Sequence, residues 1–174
     1  MLKNKITFKH IGNIICMIFI SFTAIYMYAN NKKNEEILKE KKNLTEIDNK
    51  INNYISYKDS VSNLIFELNI KYPNIVLAQS ILESGNFTSD VFKKNNNPFG
   101  MKIPLNRVTT AKGIKNGHAY YSSLREAVID YAFLQAYYYK EAKFEEDYYR
   151  ILAKSYAKDS KYIEKIKQIA NSLK

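Results

Sequence analysis

The chain has 174 residues, 46% hydrophobic and 25% charged, with 27 Lys and Arg against 17 Asp and Glu and a net charge of +10. That length suits one modest domain plus an appendage, and the charge favours acidic partners: nucleic acid, anionic lipid or an anionic polymer. The single cysteine, Cys16, excludes an intrachain disulfide, and His10 and His118 lie too far apart to suggest a clustered zinc site, so neither metal nor other cofactor is expected.

Lys3, Lys5 and Lys9 precede an uncharged run from Ile11 to Ala29. A helix of that length spans about 28 Å, near the hydrocarbon thickness of a bilayer. The leading lysines favour a cytoplasmic N-terminus. A cleaved signal peptide needs small residues at alternating positions, which Phe22 and Ala24, or Met27 and Ala29, fit poorly. Residues 1–29 therefore read as an uncleaved transmembrane anchor, with the remainder of the chain outside the cytoplasm.

Residues 30–60 are polar and charged. Ile37, Leu44 and Ile51 stand seven apart with Ile47 at a second core position, but Glu40 and Lys58 interrupt the seam. The segment reads as a solvated helical stalk, and the protein as a monomer.

Residues 61–174 form the expected folded domain. Val61, Leu64, Ile65 and Leu68 predict a helix over 61–70, and Pro73 suits the start of the next. In that second helix Ile75, Val76, Leu77, Ala78, Ile81 and Leu82 surround a polar strip of Gln79, Ser80 and Glu83, and Gly85 is the stop signal. Glu83 thus sits in a last turn whose carbonyls already make the field negative, partly buried, where ionisation is costly and the carboxyl pKa rises. A raised carboxyl pKa is what a general acid needs near neutral pH.

From Met101 to Tyr120 the pattern is strand-like, with turn signals at Pro104-Leu105-Asn106 and Lys115-Asn116-Gly117. Ser123 and Glu126 form a capping box opening a helix faced by Leu124, Ala127, Val128 and Tyr131. Two further helices, about 144–157 and 160–173, follow; the last carries Tyr162, Ile163, Ile166, Ile169, Ala170 and Leu173 at helical spacing. The expected fold class is mainly α, with a small β-hairpin lobe inserted after the Glu83 helix. That lobe holds no Asp or Glu from Val91 to Arg125, but Lys93, Lys94, Lys102, Arg107, Lys112, Lys115 and Arg125.

Three segments in this order, Ala78-Gln79-Ser80-Ile81-Leu82-Glu83-Ser84-Gly85, Asn96-Asn97-Pro98-Phe99-Gly100-Met101-Lys102 and Tyr121-Ser122-Ser123, resemble the bacterial cell-wall glucosaminidases of glycoside hydrolase family 73. The resemblance covers roughly residues 61–174 and implies a lysozyme-like fold. The implied activity is cleavage of the β-1,4 bond after N-acetylglucosamine in peptidoglycan, with no cofactor and no nucleic-acid partner. By position Glu83 matches the catalytic acid and Tyr121 a cleft tyrosine able to orient water or stabilise charge on the sugar. Gln79, Asn97, Phe99 and Gly100 match substrate-binding positions: glycine admits close approach, Phe99 offers a flat surface and Asn97 donates and accepts. The same loop also reads as a plain turn with Phe99 as a core plug. The chain departs from the family in two places: Asn86-Phe87 follows Gly85 where many members have tryptophan, and the lobe lacks a second carboxylate. Attack by the substrate's 2-acetamido group, a water positioned by Tyr121, or an acid from elsewhere such as Asp90 are the options. A muramidase, a lytic transglycosylase and a noncatalytic wall-binding module are the rival readings.

Overall fold

A computed structural model describes the backbone of residues 8–155 and 161–174, and side chains over 16–154 and 161–174. The helices are α1 (Phe8–Glu67), α2 (Pro73–Glu83), α3 (Asp90–Asn95), α4 (Leu124–Tyr138), α5 (Glu145–Ser155) and α6 (Tyr162–Ser172); the strands are β1 (Gly113–Lys115) and β2 (His118–Tyr120). The chain divides into two compact units, residues 1–51 and 52–174.

The first unit is helical throughout its described residues and exposes Phe19, Ile20, Phe22 and Ile25, then Ile37, Leu44, Ile47 and Ile51. Among the described residues no helix is long and apolar enough to cross a membrane. The anchor expected over residues 1–29 takes in residues 1–7 and the side chains of residues 8–15, all outside those described.

In the second unit the core gathers around α2. Seven consecutive residues, Ile75–Ile81, are buried, a run no amphipathic surface helix shows, so α2 is the central rod and α6 its main neighbour. Pro73 stands at its first turn, as expected. Its end is a Schellman cap: Asn86 N–H donates to Ile81 O at 2.8 Å and Gly85 N–H to Leu82 O at 3.1 Å, with Gly85 at φ +57. The chain stays in the left-handed region through Asn86 and Phe87, held there because Phe87 N–H donates to Ser84 Oγ at 2.8 Å. That turn sends the Phe87 ring into a cluster with Tyr54, Tyr57 and Phe92.

The helix expected over 61–70 is the end of α1, which stops at Glu67; Asn69 at φ +50 breaks it. The strand pattern from Met101 was read too long. Among the described residues only β1 and β2 pair, antiparallel, around Asn116-Gly117; residues 101–112 are irregular. Their side chains anchor that segment to other elements: Arg107 reaches Asp130, and Thr110 Oγ1 donates to the Glu126 carbonyl at 2.6 Å. The Ser123–Glu126 capping box forms, with Glu126 Oε2 accepting from Ser122 N–H at 2.9 Å. The last two helices lie within a residue or two of expectation.

Candidate functional site

Glu83 is the last residue of α2 and half-buried. Its two carboxyl oxygens have different surroundings. Tyr162, the first residue of α6, donates its hydroxyl to Oε1 at 2.8 Å. Oε2 faces Gly100: a methyl built on that glycine would stand 3.5 Å from it. Burial pushes the Glu83 pKa up; the Tyr162 bond and the positive field of His118 oppose that less strongly. One oxygen is thus a clamped acceptor and the other, beside a bare glycine, is where a proton can sit.

Gly100 is carried to that place by the preceding asparagines. Asn97 donates to the carbonyls of Met101 at 2.8 Å and Ala119 at 2.9 Å, and accepts from Met101 N–H at 3.0 Å. Asn95 reaches the carbonyls of Lys115 and Ala119, and Asn96 that of Tyr121. Asn96, at φ +50, also turns the chain out of α3. Between Asn97 and Gly100, Phe99 stacks on Tyr131 with ring centroids 4.2 Å apart. Three amides and one ring therefore fasten the loop to the hairpin and the core, and leave Gly100 the residue that meets the carboxyl.

This alters the expected roles of several residues. Gln79, Asn97 and Phe99 are at most 2% exposed. They offer no surface to a polymer; Gln79 accepts from the Tyr131 hydroxyl inside the core. Ser80 turns its hydroxyl to Leu77 O at 2.8 Å. The polar strip is internal because α2 is packed on every side, and Glu83 alone emerges. Tyr121 is also buried, donating to Asp130 Oδ2 at 2.7 Å, and burial with that carboxylate beside it raises its pKa strongly. Asp130 in turn holds Arg107, Nη1 to Oδ1 at 2.7 Å, with the two side chains 3% and 0% exposed. Arg107 Nε is buried without a partner among the described residues. Asp90 is exposed and paired with Lys94, and Glu126 is a cap, so neither is joined to Glu83.

Tyr162 and His118 are the site residues that sequence reasoning missed. Tyr162 counts as one apolar position in the α6 pattern, and its hydroxyl finds Glu83 only across 79 residues.

The lobe's cations are less free than their sequence suggests. Lys94 pairs with Asp90, Arg107 with Asp130, Lys112 with Glu126 and Arg125 with Glu67. Every partner lies outside the acid-free segment. Lys93, Lys102 and Lys115 have no carboxylate within ion-pair distance among the described residues. Of these, Lys102 lines a cavity of about 420 Å³ that shares Gly100 with the acid.

A sequence model of the glucosaminidase family, described as mannosyl-glycoprotein endo-β-N-acetylglucosaminidase, matches residues 65–174. The chain is 37% identical over 68 residues to Protein bax of Escherichia coli (strain K12), covering 39% of this chain; it spans a quarter (25%) of the length of that relative. Among solved structures it is similar to the catalytic domain of the autolysin Auto from Listeria monocytogenes, with a TM-score of 0.48, 25% identity, and 71% of this chain and 83% of that one covered. It is also similar to a C-terminally truncated glycoside hydrolase domain of Salmonella typhimurium FlgJ, with a TM-score of 0.47, 25% identity, and 70% and 95% covered.

Proposed function

Since the chain belongs to the glucosaminidase family, we propose that it hydrolyses peptidoglycan, cutting the β-1,4 bond after N-acetylglucosamine with Glu83 as general acid. The observation that carries this reading is the asymmetry of the Glu83 carboxyl: Oε1 engaged by Tyr162, Oε2 turned to the bare face of Gly100, and burial raising its pKa. A glycosidic oxygen approaching past Gly100 receives that proton as its bond to C1 breaks, and charge develops on the sugar ring.

The Asp130, Asp90 and Glu126 carboxylates are engaged elsewhere. Two routes need no second protein carboxylate. In one, the sugar's 2-acetamido oxygen attacks C1 and water later opens the ring so formed, returning the starting anomer. In the other, water attacks C1 directly, inverts it and gives up its proton to solvent. Proton NMR of the first product separates them. The same single-acid arrangement also favours, as a second reading, a lytic transglycosylase, whose product carries an anhydro end.

Tyr121 acts here as a positioning residue: through Asp130 and Arg107 it fixes the wall next to Gly100. Substrate contact falls to Gly100 and its surroundings, with Gln79, Asn97 and Phe99 holding the loop. The exposed apolar residues of α1 from Met17 onward support attachment to a membrane, with residues 61–174 working outside the cytoplasm; carbonate extraction of membranes tests it.

Glu83→Gln keeps the shape of the side chain and removes the transferable proton. Wild-type protein is expected to release soluble fragments from purified sacculi, and Glu83→Gln none, at nearly unchanged thermal stability. Mass spectrometry identifies the reducing end. Full activity in Glu83→Gln ends the reading.

A further inference from the structure

We propose that Tyr131 is a positioning residue for the acid: its hydroxyl holds α2, its ring holds the loop before Gly100, and one side chain thereby sets the spacing between Glu83 and Gly100. The inference rests on Glu83 being the acid of a glycan hydrolase, and adds what keeps that acid in register.

Tyr131 lies on α4 and is 1% exposed. Its hydroxyl donates to Oε1 of Gln79, on α2. Its ring stacks on Phe99, with centroids 4.2 Å apart and planes inclined by 30°. Gln79 stands one turn ahead of Glu83 on the same face of α2. Phe99 immediately precedes Gly100, whose bare face meets Glu83 Oε2. The two walls of the site are thus joined through one residue.

The hydroxyl belongs to a directed chain of donors. Tyr131 gives its single proton to Gln79, so in its 2.6 Å contact with Tyr148 of α5 it accepts and Tyr148 donates. Gln135, one turn after Tyr131 on α4, donates from Nε2 to the Tyr148 oxygen at 3.3 Å and to the Lys71 carbonyl at 2.9 Å. Its Oε1 accepts from Lys71 N–H at 2.9 Å. The chain leaves the backbone just ahead of α2 and returns to the middle of α2.

Apolar packing does not supply such a reference. Ile75–Ile81 are all buried, but contacts between apolar side chains are non-directional and resist rotation of α2 about its axis only weakly. Hydrogen bonds fix angle as well as distance. A carboxyl about 6 Å from a helix axis moves about 1 Å for every 10° of rotation. A displacement of about 1 Å at a reacting group costs about 100-fold in rate. Buried hydroxyls add little stability over apolar groups of the same shape, yet a satisfied network specifies one arrangement. Glu83 is where one arrangement of α2 matters.

Tyr131→Phe keeps the ring on Phe99 and removes the hydroxyl. On sacculi, kcat is expected to fall about 10–100-fold with KM within about twofold of wild type. The second readout is a carbon-13 NMR titration of the Glu83 carboxyl, its resonance identified by its loss in Glu83→Gln. The pKa is expected to move down, because a carboxyl out of register with Gly100 gains water and loses part of the burial that raises it. Tyr162 of α6 and His118 of β2, the other groups acting on Glu83, are unchanged by the substitution. The alkaline limb of activity moves to lower pH with the pKa, since only the protonated acid works. A merely structural hydroxyl lowers the folded fraction and leaves the titration and the kcat of folded molecules unchanged; that outcome overturns the assignment, as does a Glu83 pKa that moves up. Gln79→Met breaks the same bond from α2 and is expected to reproduce both changes, with the double variant no worse than either single one. Losses that multiply in the double variant overturn the coupling. If neither single variant folds, the bond is structural and the assignment falls. If wild-type protein releases no fragments from sacculi, the hydrolase reading fails by itself, and the titration alone decides whether Tyr131 holds Glu83 in place.

Discussion

Replacing Gly100 with alanine tests whether the acid is reached from the Gly100 side. The backbone there stands at φ +61, which costs an L-residue about 1–2 kcal/mol. The new methyl meets no hard obstacle, since its nearest neighbour is Glu83 Oε2 at 3.5 Å, ordinary contact distance. The fold should therefore survive with a Tm lowered by roughly 5 °C. Chemistry should not. A general acid must come within about 2.6–3.2 Å of the oxygen it protonates, and an oxygen at that distance on the Gly100 side falls inside the methyl group. Activity on sacculi is expected to drop by the share that acid catalysis supplies, about 10²–10⁴-fold. Gly117→Ala is the control, because φ is +72 and a methyl there meets nothing within 4 Å. It should show the same order of Tm loss with fragment release close to the wild-type rate. If Gly100→Ala, verified folded by circular dichroism, clears sacculi at the Gly117→Ala rate, the proton does not pass beside Gly100 and the proposed site is misplaced.

Other perturbations test separate links. Burial raises the Glu83 pKa and Tyr162 opposes this by donating to the carboxylate, so activity should fall as pH rises through the raised value. Tyr162→Phe should move that alkaline limb to higher pH; a limb that stays put or moves down refutes the link. The same sign holds for folding: the favourable contribution of a raised carboxyl pKa is present at low pH and lost as pH rises through the folded value. Asp130→Asn strands the Arg107 guanidinium, whose side chain is 3% exposed and already has one unpartnered N–H, at a cost of about 3–5 kcal/mol; a urea midpoint that hardly moves refutes a buried pair. Tyr121→Phe removes a hydrogen bond to a buried charge, costing about 1.5–3 kcal/mol, and should leave turnover of the folded fraction within a few-fold. A large rate loss at wild-type stability would move Tyr121 from positioning into the reaction itself.

What could be read from the chain was local. The apolar encirclement of Glu83, its stop at Gly85, the Ser123–Glu126 cap and the α6 periodicity all arise from interactions within a few residues, and each appears in the fold at its expected place. The i, i+4 spacing of the polar strip tells which residues share a face and not whether another element covers it; Tyr131 covers Gln79. The lobe shows cations and no acid in the sequence because the carboxylates that pair four of those cations, Glu67, Asp90, Glu126 and Asp130, come from other segments.

The amino-acid sequence by itself determined that one acid would close a buried helix ahead of an asparagine-rich bend. Tertiary structure alone decided which carboxyl oxygen is clamped, which meets Gly100, and which lysine is left unpaired beside the cavity. Helix periodicity and caps are set by covalent neighbours, so they survive in the one-dimensional pattern. The Tyr162–Glu83 bond and the Arg107–Asp130 pair exist only because packing brings distant surfaces within 3 Å, and no spacing along the chain encodes that meeting.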